Sequence, residues 1–122
     1  MPELARKNID SPEETRLFSR GKIDVIRVDG VTVGRATLEA GWKWSESVKP
    51  MAGTDSCQVA HLGYMVSGRM RVVMDSGSEE EFGPGDVVAI HPGHDAWVVG
   101  NEPVVFLDFA GAEQYARSHA RP

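Results

Sequence analysis

The stretch Glu81–Trp97, EFGPGDVVAIHPGHDAW, decides the fold class of this chain. It contains a turn cluster at Gly83–Asp86, a short apolar and β-branched run at Val87–Ile90, and a second turn at Pro92-Gly93. Proline has no N–H to donate and glycine tolerates positive φ, so such corners suit the rims of a closed antiparallel barrel. The stretch therefore predicts one strand of a β-barrel, held between two tight corners.

Short strands separated by turns are also predicted on both sides of this stretch. Asp29-Gly30, between Lys22–Val28 and Val31–Glu39, is the sequence signal for a two-residue β-hairpin. The other predicted strands are Cys57–Val66, Arg69–Met74, Glu79–Phe82, Trp97–Val99 and Val104–Phe109. Turns that recur at such short intervals indicate an all-β sandwich or barrel.

The length of 122 residues predicts one domain with a single core. We expect an N-terminal extension over residues 1–21, a barrel over 22–110 and a C-terminal tail over 111–122. Ser11-Pro12-Glu13-Glu14 has the cap, proline and glutamate of a helix start, so it predicts a short helix that runs to about Phe18. A second short helix is predicted over Gly111–His119.

Charge and composition argue against several classes of partner. The formal net charge is −5 and the basic residues form no cluster, so neither nucleic acid nor an anionic membrane is an expected partner. The sequence has no apolar run as long as a membrane span, and its first twenty residues are charged. Its single cysteine, Cys57, cannot form an internal disulfide. We therefore expect a cytoplasmic protein.

The pattern of glycine and proline around Val87–Ile90 resembles the second conserved motif of the cupin superfamily. Gly85 and Gly93 match the motif, whereas His91 and Ala96 stand where it has a proline and a metal-binding histidine. Gly63–Gly68 is similar to the end of the first cupin motif. The resemblance covers about Val31–Phe109 and implies a jelly-roll barrel. Many cupins also form homodimers.

The first motif also assigns positions to metal ligands. Counting back from Gly68 places His61 at the motif's glutamate. The two histidines of the motif are replaced by Asp55 and Cys57 or, if Gly41 is the motif's first glycine, by Ser47 and Lys49. Both alignments remain open.

Alternation along the strands groups residues by face, and the cupin resemblance implies which face is the barrel interior. Cys57 and His61 share one face of their strand, and the resemblance places His94 on the inward face of another. With Asp55, these residues predict a site for a divalent transition metal; cysteine favours zinc, and the alternatives are iron, manganese and nickel. A hydrogen-bonded core histidine at His61 is the structural alternative, and a Cys57–His61 catalytic pair is the chemical one.

The long segment Gly41–Gly53 supplies candidate ligand-binding residues. Trp42 and Trp44 are spaced to share one face and to stack on a planar ligand, although core packing or a dimer contact also explains them. Glu46 and Lys49 are either an acid and base couple or a surface ion pair.

Two functions from different classes fit these residues. One is a small-molecule enzyme whose pocket is centred on His61 and uses a metal ion or acid and base catalysis; cupins catalyse several kinds of reaction, so the chemistry stays open. The other is a non-catalytic binding or sensing barrel that has lost the full set of metal ligands. We also expect a homodimer, with Tyr64 on the outward face of its sheet.

Overall fold

The computed structural model of the protein describes residues 3–117 and confirms an all-β barrel of cupin type. Within these residues the strands are β1 (Glu14–Phe18), β2 (Gly21–Val28), β3 (Val31–Leu38), β4 (His61–Ser67), β5 (Arg69–Met74), β6 (Glu79–Phe82), β7 (Val87–Ile90), β8 (His94–Val99) and β9 (Val104–Asp108), and the helices are α1 (Trp44–Ser47) and α2 (Lys49–Ala52).

The strands form two antiparallel sheets that enclose the core. One sheet has the order β1-β2-β3-β9-β4-β7, and the other has the order β6-β5-β8. Alternation along β4 separates the inside from the outside, as predicted: Gly63 and Met65 are buried, whereas Leu62 and Tyr64 are exposed. Inward residues of both sheets therefore meet in one apolar interior.

The turn chemistry of the sequence is confirmed at two places. Asp29 and Gly30 have φ angles of 50° and 80°, the pair of positive values that a type I′ hairpin turn requires. This turn connects β2 to β3, whose ends pair Val28 with Val31. The strand predicted between two corners is β7, Val87–Ile90, at one edge of the larger sheet.

The prediction of an N-terminal helix is wrong. Glu14–Phe18 forms β1 and pairs antiparallel with β2. A helix cap stabilises by only about 1 kcal/mol, and here the strand ladder satisfies the backbone while burying Arg16. The Arg16 guanidinium donates to the carbonyls of Ala112 at 2.6 Å and Tyr115 at 2.7 Å, so β1 holds the C-terminal segment.

The predicted C-terminal helix is not formed in the residues that can be described. Residues 111–116 form turns, and Ala116 has a φ of 57°, which is left-handed and incompatible with a continuing α-helix. His119, the predicted end of that helix, lies outside the described residues. The short helices α1 and α2 lie instead in the loop between β3 and β4.

No helix within residues 3–117 has both the length and the apolar character needed to cross a bilayer.

Candidate metal centre

A short contact between the two motifs brings Cys57 beside His94. The backbone N–H of Cys57 donates to the His94 carbonyl at 2.7 Å, and the Cys57 carbonyl accepts from the N–H of Gly93 at 2.7 Å. The two residues thus form an isolated antiparallel bridge outside the longer ladders. Both are buried, with 2% and 3% of their surface exposed, so their side chains meet inside the barrel.

His61 reaches the same point from the other sheet. It begins β4, and its Nε2 lies 3.8 Å from the Cys57 Sγ. Its Nδ1 lies 2.5 Å from Oδ2 of Asp108, a buried residue at the end of β9. An ionised carboxylate can only accept hydrogen bonds, so Nδ1 carries a proton, and Nε2, the ring nitrogen that faces Cys57, is the one that a metal ion would bind after displacing any proton there.

Asp108 is itself fixed by the backbone that follows β9. Its Oδ1 accepts the N–H groups of Ala110 at 3.0 Å and Gly111 at 2.9 Å. A Cβ atom on Gly111 would lie 2.8 Å from the His61 Nδ1, so only glycine lets this turn approach the pair so closely. The chain thereby holds the His61 ring in one orientation.

His94 is oriented in a similar way. Its Nδ1 donates to the backbone carbonyl of His91 at 2.8 Å, so Nε2 is the ring nitrogen that could act as a ligand. The rings of His61 and His94 meet edge to face, with centroids 5.4 Å apart. A hydrogen bond to the second ring nitrogen is the arrangement that usually orients metal-binding histidines.

The ligand atoms of Cys57, His61 and His94 all lie within 4.8 Å of one another, close enough to hold a metal ion. One thiolate and two imidazoles are donors that suit zinc, and three protein ligands leave a fourth position of a tetrahedral site open. The two histidines and the cysteine predicted from the sequence are therefore brought together.

Electrostatics within the cluster favour the ionised thiol. Burial opposes ionisation of Cys57, but hydrogen bonds from His61 and His94 outweigh it and lower the pKa of the thiol to about 6. Burial likewise opposes protonation of His61, but the hydrogen bonds to Asp108 and Cys57 raise its pKa to about 9. The cluster therefore already supplies the anionic sulfur that a metal ion needs.

A small interior cavity adjoins the cluster. Its volume is about 40 Å³, and His61, His94 and Asp108 form its polar part. The rest of the described wall is apolar and consists of Ile23, Ala36, Leu38, Trp42, Trp44, Met70, Ile90, Ala96, Phe106 and Tyr115. An apolar cavity beside a few convergent polar groups is a common form of small-molecule site.

The predicted ligand-binding tryptophans do line this cavity. Trp42 and Trp44 are each 2% exposed and belong to the hydrophobic core. They are therefore residues of the cavity wall, and neither has exposed surface with which to contact a second chain. The Trp42 indole N–H is buried and has no hydrogen-bond acceptor among the described residues.

Three other predicted site residues lie apart from the cluster. The side chain of Asp55 is fully exposed and faces Lys49, with 3.9 Å between the charged atoms. Regular strand pairing begins only at His61, so the alternation that places Cys57 inward does not extend back to Asp55. Glu46 is exposed on α1, and it does not line the cavity.

Two residues that complete the site were not predicted. Asp108 orients His61, and the Tyr115 ring lies 5.4 Å from the His61 ring in an edge-to-face contact. Burial and the nearby charges of Cys57 and Asp108 raise the pKa of Tyr115 well above its ordinary value, so its hydroxyl stays protonated. A signal for Asp108 was present: it follows Val104 and Phe106 on the inward face of a predicted strand.

Comparison with known proteins supports the fold and goes no further. No protein-family model and no curated protein sequence matches the chain. A protein of unknown function (DUF1255) from Acinetobacter sp. ADP1 is similar in structure, with a TM-score of 0.59 and 11% identity over 80% of this chain and 90% of that one.

Larger proteins contain a similar barrel. Oxalate decarboxylase from Lactobacillus farciminis, solved as a formate complex, gives a TM-score of 0.56 and 20% identity over 84% of this chain and 32% of that one. The coconut allergen cocosin gives a TM-score of 0.59 and 20% identity over 91% of this chain and 34% of that one. This chain thus spans about a third of each protein, and the likeness defines a cupin-type barrel as its fold.

Proposed function

We propose that this chain is a small-molecule-binding protein of cupin fold that holds one divalent transition metal ion between Cys57, His61 and His94. The observation that carries the proposal is the convergence of their three ligand atoms within 4.8 Å. Both histidines also have their other ring nitrogen hydrogen-bonded, which is the support that such ligands need. The thiolate favours zinc over iron, manganese or nickel.

The cavity gives the proposed ion a place to act. A zinc ion with three protein ligands can polarise a bound molecule or lower the pKa of bound water to about 7. Asp108 holds the His61 ring in one orientation, and the cavity wall beside the proposed ion is mainly apolar. These features favour a metal-dependent enzyme, while a binding or sensing protein would use the same site without turnover.

A metal-free thiol enzyme is the second candidate. The specific observation in its favour is the series Cys57, His61 and Asp108, in which a nucleophile, a base and an orienting carboxylate are joined in order. The backbone N–H of Cys57 is bonded to the His94 carbonyl, so it is not free to stabilise an oxyanion. We therefore rank this candidate below the metal centre.

The test is direct metal binding by protein purified without an affinity tag. Dialysis against a chelator first removes any bound metal. When zinc is then added, we expect the wild type to take up a single zinc ion per chain. Replacing His61 or His94 with alanine should weaken zinc binding by more than the roughly 10- to 100-fold lost when a residue that only hydrogen-bonds to a metal ligand is changed. His91→Ala is the matched control, because its side chain is exposed and only its backbone carbonyl contacts His94.

The alternatives give different results in the same experiment. If His61 is only a core residue, His61→Ala lowers the melting temperature and no metal binding depends on it. If Cys57 acts as a free nucleophile, zinc does not bind and a small alkylating reagent labels the thiol at the same rate with or without zinc. Protection of Cys57 from alkylation by stoichiometric zinc supports the metal centre.

We also propose that two copies of the chain associate through the outer face of the larger sheet. Exposed apolar residues cluster there on neighbouring strands, with Leu62, Tyr64 and Val66 on β4 and Val87 on β7. Tyr64 is paired with Val87 on one side and Leu107 on the other, so the apolar surface is continuous. A face of this kind is an interaction site in a water-soluble barrel.

A further inference from the structure

We propose that the interior cavity takes a small uncharged ligand, apolar apart from one oxygen or sulfur atom that meets the metal ion, and rejects anions of similar size. The inference rests on the proposed metal centre and adds the chemical class of its ligand. It follows from the charges, the wall and the size of the cavity.

The charges of the site cancel before any ligand arrives. A divalent cation brings two positive charges, and the Cys57 thiolate removes one of them. The Asp108 carboxylate, 2% exposed, removes the other. Two backbone N–H groups and the His61 ring all donate to this carboxylate. A neutral ligand leaves this balance intact, whereas an anion leaves a buried excess of negative charge.

The cavity wall offers an anion no positively charged side chain. Among the described residues that line it there is no lysine or arginine. Carboxylate and phosphate sites normally supply such a cation, most often a bidentate arginine. An anion would lose its hydration shell here against Ile23, Leu38 and Phe106, which makes its entry unfavourable.

The volume limits the ligand to a few non-hydrogen atoms. A cavity holds one water when about 10–15 Å³ is open to it, so the 40 Å³ found here has room for about three waters. A short alcohol, aldehyde, ketone, amide or thiol has this size and carries one atom that can bind a metal ion. Zinc accepts oxygen and sulfur donors alike.

Acetamide and acetate test the inference as a matched pair, because they have nearly the same shape and differ in charge. Each is titrated into the zinc-loaded protein, and binding is followed by NMR through the side chains of Met70 and Ile90 in the cavity wall. We expect the dissociation constant of acetamide to be lower by about tenfold or more. Equal or tighter binding of acetate overturns the inference.

A pair of variants shows whether binding occurs in the cavity. Ala36 lines the cavity, so Ala36→Leu should abolish acetamide binding while zinc content stays unchanged. Ala89 is exposed on β7, so Ala89→Leu should leave both unchanged. Acetamide that binds Ala36→Leu as it binds the wild type contradicts the placement.

Zinc content, measured on the same samples, separates this inference from the proposed function. Zinc bound together with a preference for acetate overturns only the ligand class. Zinc absent from the wild type overturns the metal centre, and the charge balance with it.

Discussion

Asp108→Asn should weaken zinc binding by forcing the His61 ring into the wrong tautomer. The Asp108 carboxylate accepts on both oxygens: Oδ1 from the N–H groups of Ala110 and Gly111, and Oδ2 from the His61 Nδ1. An asparagine has one accepting oxygen, and the two backbone donors require it. Its NH₂ group then faces Nδ1, which must accept, so the proton moves to Nε2.

The expected loss of zinc affinity depends on the role of the His61 Nε2 atom. Nε2 is the atom that faces Cys57, 3.8 Å from its sulfur, so a proton there occupies the position where the metal ion would bind. Loss of a carboxylate that hydrogen-bonds to a metal-binding histidine costs roughly 10- to 100-fold in metal affinity. This corresponds to about 1.4–2.7 kcal/mol of binding free energy.

Competition against a chromophoric zinc chelator at neutral pH measures the change. Asp86→Asn is the matched control, because Asp86 accepts a backbone N–H from Gly83 at 2.7 Å in an exposed turn and should keep full zinc affinity. Melting curves of both variants without zinc show whether the barrel is folded. A folded Asp108→Asn protein with the zinc affinity of the wild type would refute the tautomer argument.

Three further changes test other parts of the structure. Ala96→His should increase zinc affinity in the competition assay, since Ala96 lines the cavity and an added imidazole can fill the open position; unchanged affinity means that the ion lies elsewhere. Zinc affinity should rise about tenfold per pH unit between the pKa of Cys57, about 6, and that of His61, about 9, because binding displaces the one proton that the pair then holds. A zinc affinity that does not change with pH over that range contradicts the assigned protonation. Tyr64→Glu should convert a dimer to a monomer in sedimentation, because Tyr64 is 41% exposed at the centre of the outer apolar face, and a monomeric wild type at tens of micromolar refutes the dimer.

The strands were predictable because their signals are local. Asp29-Gly30 specifies its own turn, and period-two alternation puts His61 and Met65 on the same face of their strand, which the cupin resemblance identified as the inner face. Ser11-Pro12-Glu13-Glu14 is also a local signal, and it failed. The residues of the predicted helix from Glu14 to Phe18 instead pair with β2, and Arg16 is buried against the C-terminal turn, a contact between distant parts of the chain that a local pattern cannot predict.

The site was predicted only where a strand pattern pointed to it. Cys57, His61 and His94 follow from alternation and from the motif positions, but their contact depends on the isolated bridge between Cys57 and His94. Asp108 meets His61 because β9 lies beside β4, an order of strands that the sequence does not reveal. Contacts between side chains of different strands can be predicted only when the order of the strands in the sheet is known.

The ligand set also explains how the site departs from the cupin motif that the sequence resembles. The motif's metal-binding histidine is replaced by Ala96, and the inward histidine of the same strand is His94, one step earlier on the same face. Residues two apart in a strand are separated by about 7 Å, so the donor is displaced along β8 and is not lost. Cys57 lies opposite the displaced position and would supply the anionic donor of the proposed metal centre. Ala96 in turn lines the cavity, so the position at which the motif has its histidine leaves space from which a small molecule could reach the proposed ion.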